Sequence, residues 1–205
     1  MKKLLLIIIV VALAGFVAWQ FFPRRQDKPI EEKKDEPLAI GKNSSAFDRA
    51  FSKLMNDYYA VHDALVNWDT ARADKAAYAL QLKADSLPFT DLKGDSTVIL
   101  TAKSFATSIS SEMKGFVGEA NIEQKRRAFN MLTDEMYNII RTVQYGGSII
   151  YHMRCPMAFS DSTEGYWLSA VNKVVNPYLG DKHPAYQDKM IGCGEMVDSL
   201  DFSKK

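Results

Sequence analysis

Apolar residues recur at helical spacing from Phe47 onward. Phe47, Phe51, Leu54, Tyr58, Val61, Leu65 and Trp68 follow alternating intervals of four and three, a single stripe over about six turns. A second stripe holds Ala73, Ala77, Leu80, Ala84 and Leu87; Asp69 or Thr70 can cap its start, and Pro88 follows its end. A third runs through Val98, Ala102, Phe105, Ile109, Met113 and Phe116 behind Asp95 or Ser96. The fourth runs through Phe129, Leu132, Met136, Ile139 and Val143. Asn121 and Gln124 form a capping-box pattern before it, and Gly146-Gly147 is the expected stop. Four amphipathic helices on short connections predict an up-and-down antiparallel bundle over residues 46–147. The brief passage from Gly118 to Asn121 makes the third and fourth helices neighbours.

The texture changes at Ser148. Ile149-Ile150-Tyr151 reads as a short strand, and Pro156, Gly165, Pro177, Gly180, Pro184, Gly192 and Gly194 punctuate the rest of the chain. Residues 148–205 are therefore expected to be strand, turn and loop, packed on the bundle through Phe159, Trp167, Leu168 and Tyr178 as part of the same domain.

The N-terminus has neither pattern. Met1-Lys2-Lys3 precedes an unbroken apolar run from Leu4 to Trp19, with Phe21 and Phe22 beyond it. That length and the flanking aromatics fit a transmembrane helix over residues 1–22. The reading is of a retained signal anchor, with a cleaved signal peptide as the alternative, and the body is placed outside the inner membrane, in the periplasm. The basic residues after the run (Arg24, Arg25, Lys28, Lys33, Lys34) do not favour that orientation by the positive-inside rule. Residues 23–45 hold three prolines and a dense mixture of charges, and read as a disordered spacer.

Composition narrows the function classes. Lys and Arg number 26 against 25 Asp and Glu, a net charge of +1, and no basic face interleaved with aromatics stands out, so nucleic-acid binding has no support. There is no Cys-x-x-Cys, no Gly-rich phosphate loop and no His-rich triad; no enzymatic role is expected. His62, beside Val61, has no ligand-type residue one turn away and reads as a surface or boundary histidine. Tyr58, Tyr59 and Trp68 read as core, and Met55, Met113, Met131 and Met136 as core or edge fillers.

Ligand-type residues crowd the tail. Both cysteines, Cys155 and Cys193, lie there with Met153, Met157, Met190, Met196, His152 and His183. Thiolate and thioether sulfurs are soft donors that select Cu(I), and by the same softness Ag(I). Cys155-Pro156-Met157 puts two sulfurs on one tight turn, Met190-x-x-Cys193 can add two more, and Gly194 permits close approach of the loops. The plain alternative is a Cys155–Cys193 disulfide. It would close a loop of about 38 residues and stabilise the tail by roughly 3–4 kcal/mol. Residue types alone leave both readings open, and reduced thiols could bind metal where oxidised ones bridge.

The tail resembles a known family. Tyr151-His-Met-Arg-Cys155-Pro156-Met157-Ala158-Phe159, Gly165-Tyr-Trp-Leu-Ser169, Asn176-Pro-Tyr-Leu-Gly180 and Met190-Ile-Gly-Cys193-Gly194-Glu195 resemble, in order and spacing, the domain-of-unknown-function family 3347 (DUF3347). Ala60-Val-His-Asp-Ala64-Leu65-Val66 and Gln124-Lys-Arg-Arg-Ala-Phe129 resemble its helical part, so the likeness covers about residues 46 to 202. The tail is also similar to a short heavy-metal-binding domain. The resemblance implies a bacterial envelope setting, largely in the Bacteroidetes group, and association with RND-type heavy-metal efflux adaptors. It implies copper or silver handling through Cys155, Met157, Met190 and Cys193, Cu(I) being the expected ion. No adaptor portion is present in this chain, which reads as a standalone version.

Overall fold

Each helix begins where a short polar side chain offers an oxygen to the first turn. In the computed structural model, which describes residues 43–159 and 162–203, the Ser44 hydroxyl accepts from the Phe47 amide at 3.1 Å and opens α1, Ser45–Val66. The Asp69 carboxylate accepts from Arg72 N at 2.9 Å and opens α2, Thr70–Asp85. Asp95 does the same for α3, Ser96–Gly118, and Asn121 for α4, Ile122–Val143. Such caps satisfy amides that have no partner inside the helix. A single 3-10 turn, Phe89–Asp91, follows Pro88.

The expected membrane anchor (residues 1–22) and most of the expected spacer lie outside the described residues. Among the described residues, no helix is long and apolar enough to cross a membrane. The last residues of the expected spacer belong to the folded body: Asn43 Nδ2 donates to the Val143 carbonyl at 2.8 Å, Ser44 is a cap and Ser45 is helical.

The protein is mainly helical, with four α-helices and a three-stranded antiparallel sheet among the described residues. Consecutive helices pack on one another, α1 on α2, α2 on α3 and α3 on α4, while α1 and α4 approach each other sparingly. The sheet covers that open side. Its strands β1 (Ile150–Cys155), β2 (Gly165–Ser169) and β3 (Glu195–Leu200) lie in the order β2-β1-β3. The stripe residues Phe47, Phe51, Leu54, Tyr58, Val61, Leu65, Leu80, Ile109, Met113, Phe116, Phe129, Leu132, Met136, Ile139 and Val143 are buried in one core with Met153, Cys155, Trp167, Leu168 and Tyr178 from the tail.

The dock between the layers is specific. The Leu168 amide donates to Tyr58 Oη at 2.9 Å; that phenol contacts Thr133 Oγ1 at 2.8 Å, and Thr133 donates to the Phe129 carbonyl at 3.0 Å. The next outward amide of β2, that of Tyr166, donates to Asn130 Oδ1 at 2.7 Å. The outer edge of β2 is thus paired to side chains of α1 and α4, which removes one exposed edge.

Several local expectations change. Trp68 is not the last residue of the α1 stripe. The helix ends at Val66, and Trp68 sits half-buried in a left-handed conformation (φ 58°) in the turn before the Asp69 cap. His62 is no surface histidine: it is buried, and its Nε2 meets the Val175 carbonyl at 2.9 Å while Nδ1 meets Asp63 Oδ1 at 3.0 Å, tying α1 to the tail. Met131 is exposed, and Phe105 is only partly buried. Helix α4 stops on Gln144, in a left-handed conformation (φ 47°), two residues before Gly146. The strand read at Ile149–Tyr151 begins one residue later and continues to Cys155.

Candidate functional site

Cys155 is the last residue of β1. Its register partner on β2 is Gly165, where a Cβ would fall 2.5 Å from Ala158 Cβ and 2.7 Å from Tyr178 Cε2, so only hydrogen fits. Successive strand residues face opposite sides, so Met153 shares the face of Cys155 and His152 takes the other. Burial agrees: Met153 and Cys155 are both fully covered.

Cys193 arrives from a turn. Its amide donates to the Met190 carbonyl at 2.9 Å, and the buried side chain of Asn176 donates from Nδ2 to the Cys193 carbonyl at 2.8 Å. Asn176 Oδ1 accepts from the amides of Tyr178 and Leu179 at 2.8 and 3.0 Å, and its own amide donates to the Ile191 carbonyl at 2.8 Å. One side chain therefore locks the Asn-Pro turn to the Cys193 turn. Gly194 (φ 140°) completes the approach, because a Cβ there would lie 2.6 Å from the Arg154 carbonyl oxygen.

The outcome is a sulfur pair. Cys155 Sγ and Cys193 Sγ are 3.4 Å apart, both free thiols, with Cys155 buried and Cys193 half-buried. Burial, and next the contact with Cys155, push the Cys193 thiol up to about 11. The separation exceeds a disulfide bond of about 2.05 Å and is short enough for S–H···S contact.

The two methionines lie elsewhere. Met157, past the Cys155-Pro156 turn, is half exposed, and Met190 is half-buried. Both line a cavity of about 660 Å³ together with Trp68, Arg126, Tyr178 and His183, and neither cysteine is in its wall. The two thiols thus form a pair, while both thioether residues belong to the cavity wall.

The tail histidines are occupied otherwise. The His152 ring packs between Tyr137 (centroids 4.5 Å) and Tyr166 (5.2 Å); burial lowers its pKa, against the pull of Asp198. His183 Nδ1 accepts from the amides of Ala185 and Tyr186 at 3.2 and 3.3 Å, so in the neutral ring Nε2 carries the proton and neither nitrogen is free for a metal. Among the described residues, no group of three or more His, Cys, Asp or Glu is arranged to hold a metal ion.

The structural roles of three residues escaped the sequence reading: Asn176, Arg126 and Met153. The Asn-Pro dipeptide announces a turn, but not that its amide would clamp Cys193. Arg126 sits on a polar-looking stretch of α4, and only the folded tail buries it. Met153 earns notice once the strand phase is known.

The geometry can be set beside known proteins. The family DUF3347, described as a protein of unknown function, matches residues 54–146. The chain carries a DUF3347 segment. It runs from within α1 to just past α4, so the tail motifs that share the resemblance lie beyond the matched stretch. No curated protein and no solved structure matches the chain.

Proposed function

We propose that this chain is a membrane-anchored bacterial envelope protein that binds a soft monovalent ion, Cu(I) or Ag(I), through Cys155, Met157, Met190 and Cys193, and takes part in copper handling or efflux rather than catalysis. The single observation that carries the reading is the 3.4 Å approach of two free thiols from different loops. With a metal–sulfur bond of about 2.3 Å, taken from zinc thiolates, S–M–S angles from about 95° to linear need sulfur separations of roughly 3.4–4.6 Å. The pair fits the lower end without backbone movement. Thiolate donors select Cu(I). Met157 and Met190 lie two and three residues from the cysteines, as Met153 and Met196 also do, and would have to turn from the neighbouring cavity toward the thiols to complete the set.

The chain's own residues have three tasks. Asn176 and Gly194 hold the Cys193 turn against β1. Burial around Cys155 excludes water from one sulfur. Cys193, protonated at neutral pH, must give up its proton on coordination. Bound Cu(I) would supply a transferable cargo. A helical bundle of up-and-down antiparallel type would serve as the scaffold, and an RND-type adaptor is the expected receiver.

The test is competition for Cu(I) against a chromophoric chelator under reducing conditions. The wild type should withdraw Cu(I) from the chelator, and a Cys155→Ser/Cys193→Ser variant should lose that capacity. Equal competition by both would sink the proposal. The second reading, a disulfide-stapled interaction module, is favoured by the same proximity, since the sulfurs need close only from 3.4 to about 2.05 Å. Two free thiols counted on protein taken from its own compartment would speak against it.

A further inference from the structure

The cavity beside the sulfur pair contains an unusual cation. Arg126 is buried, yet among the described residues it pairs with no carboxylate. Its Nε donates to the Pro177 carbonyl at 2.9 Å, its Nη2 donates to the Leu65 carbonyl at 3.1 Å, and its guanidinium stacks on Trp68 at 4.0 Å from the ring centroid. A guanidinium has five N–H donors; two are committed here. Glu123 is the acidic side chain that acts on it through space, and that carboxylate pairs with Arg127 at 3.3 Å. A buried charge held by carbonyl dipoles and one ring retains a strong demand for an anion.

The surroundings specify the rest of the ligand. Arg126 forms part of the cavity wall with Trp68, Phe159, Tyr178, Tyr186 and the two methionines. A volume of about 660 Å³ lies within the usual range for small-molecule sites, which pair mainly apolar walls with a few polar groups. His183, whose Nδ1 is engaged by backbone amides, presents a donor at Nε2 rather than an acceptor. The rest of the wall is mainly aromatic and apolar; its other polar members are Ser162, Asn121, whose oxygen caps α4, and Glu123, whose carboxylate is already paired with Arg127.

We propose that this cavity binds a small organic monocarboxylate with an aromatic body, its carboxylate on the Arg126 guanidinium and its ring among Trp68, Phe159 and Tyr186. The inference does not rest on the metal reading: Met157 and Met190 line the cavity, but the carboxylate is held by Arg126 and the ring by aromatic side chains, not by sulfur.

The probes are 2-naphthoate and its neutral isostere 2-naphthamide, titrated into the full-length, metal-free, reduced chain while the methionine methyl signals are followed by NMR. Met157 and Met190 should shift saturably with 2-naphthoate, whereas buried Met113 on α3 should not. 2-Naphthamide should bind at least about tenfold more weakly, the size expected for a charge-assisted pair. Arg126→Gln should abolish the preference for the acid. Because that substitution also removes contacts to Leu65 and Pro177, Ala185→Trp, at an exposed cavity-lining position, provides a second block and should weaken both probes. The Cys155→Ser/Cys193→Ser variant should bind 2-naphthoate like the wild type. No saturable shift, equal affinity for acid and amide, or undiminished binding by Ala185→Trp would overturn the proposal.

Discussion

The backbone amide of Leu168 donates to the phenol oxygen of Tyr58, 110 residues earlier in the chain, at 2.9 Å. The phenol in turn faces Thr133 Oγ1, whose own hydrogen is used on the Phe129 carbonyl, so Tyr58 is the donor in that contact. The relay joins β2, α1 and α4 through one buried oxygen, and burial drives the Tyr58 pKa well up. Removing the oxygen leaves a buried amide without a partner. Tyr58→Phe should therefore cost about 1–3 kcal/mol. Urea denaturation measures the loss, and hydrogen exchange should show faster exchange at Leu168 than at Tyr166, whose amide bonds to Asn130.

The clamp on the Cys193 turn makes a second prediction. Asn176→Ala removes three side-chain hydrogen bonds in a buried position. A stability loss of about 2–4 kcal/mol is expected. The Cys155 and Cys193 thiols should also lose their preferred proximity, so oxidant-driven disulfide formation should slow relative to wild type. Unchanged oxidation kinetics would show that the clamp does not position the thiol.

At Gly194, φ 140° and the 2.6 Å approach to the Arg154 carbonyl act together. Gly194→Ala should destabilise by roughly 1–3 kcal/mol and weaken Cu(I) retention. Gly192→Ala is the control: a Cβ there meets nothing within 4 Å, and its φ is not positive. Equal behaviour of the two variants in thermal melts would contradict the close-approach argument.

The raised Cys193 pKa sets the sign of two pH dependences. Below about 11 the thiol is protonated in the folded chain, so metal must displace a proton there. Apparent Cu(I) affinity should rise with pH, by about tenfold per unit for each proton displaced. In the metal-free chain the sign is opposite. A thiol pKa raised on folding from the ordinary 9.0 contributes stability that is complete below about 9 and lost as pH rises through about 11. Cys193→Ser should flatten both profiles.

Met113 and Met131 test the packing. Met113 on α3 is buried, and Met113→Ala should cost about 2–5 kcal/mol. Met131 on α4 is exposed, and Met131→Ala should stay within about 0.5 kcal/mol of wild type in denaturant titrations.

The helices were legible because their information is local. Four stripes at three-and-four spacing and the cap residues Asp69, Asp95 and Asn121 recur in α1 to α4 nearly as read. The stripe misled at Trp68, where spacing continues but the backbone turns left-handed (φ 58°) so that its indole can donate to the Leu179 carbonyl at 3.0 Å. It misled at His62 too, because the group that buries it, the Val175 carbonyl, lies 113 residues away. Ligand-type residues in the tail were equally visible, but not their grouping. Where helices start, which faces are apolar and that sulfur donors crowd the tail could all be read from the chain, since those features depend on neighbours within a turn or two. That Cys155 meets Cys193, that Met157 and Met190 line a separate cavity, and that Arg126 is buried in its wall are visible in the fold alone. Those placements depend on strand phase, on the close approach that Gly165 and Gly194 allow, and on hydrogen bonds between residues far apart in the chain.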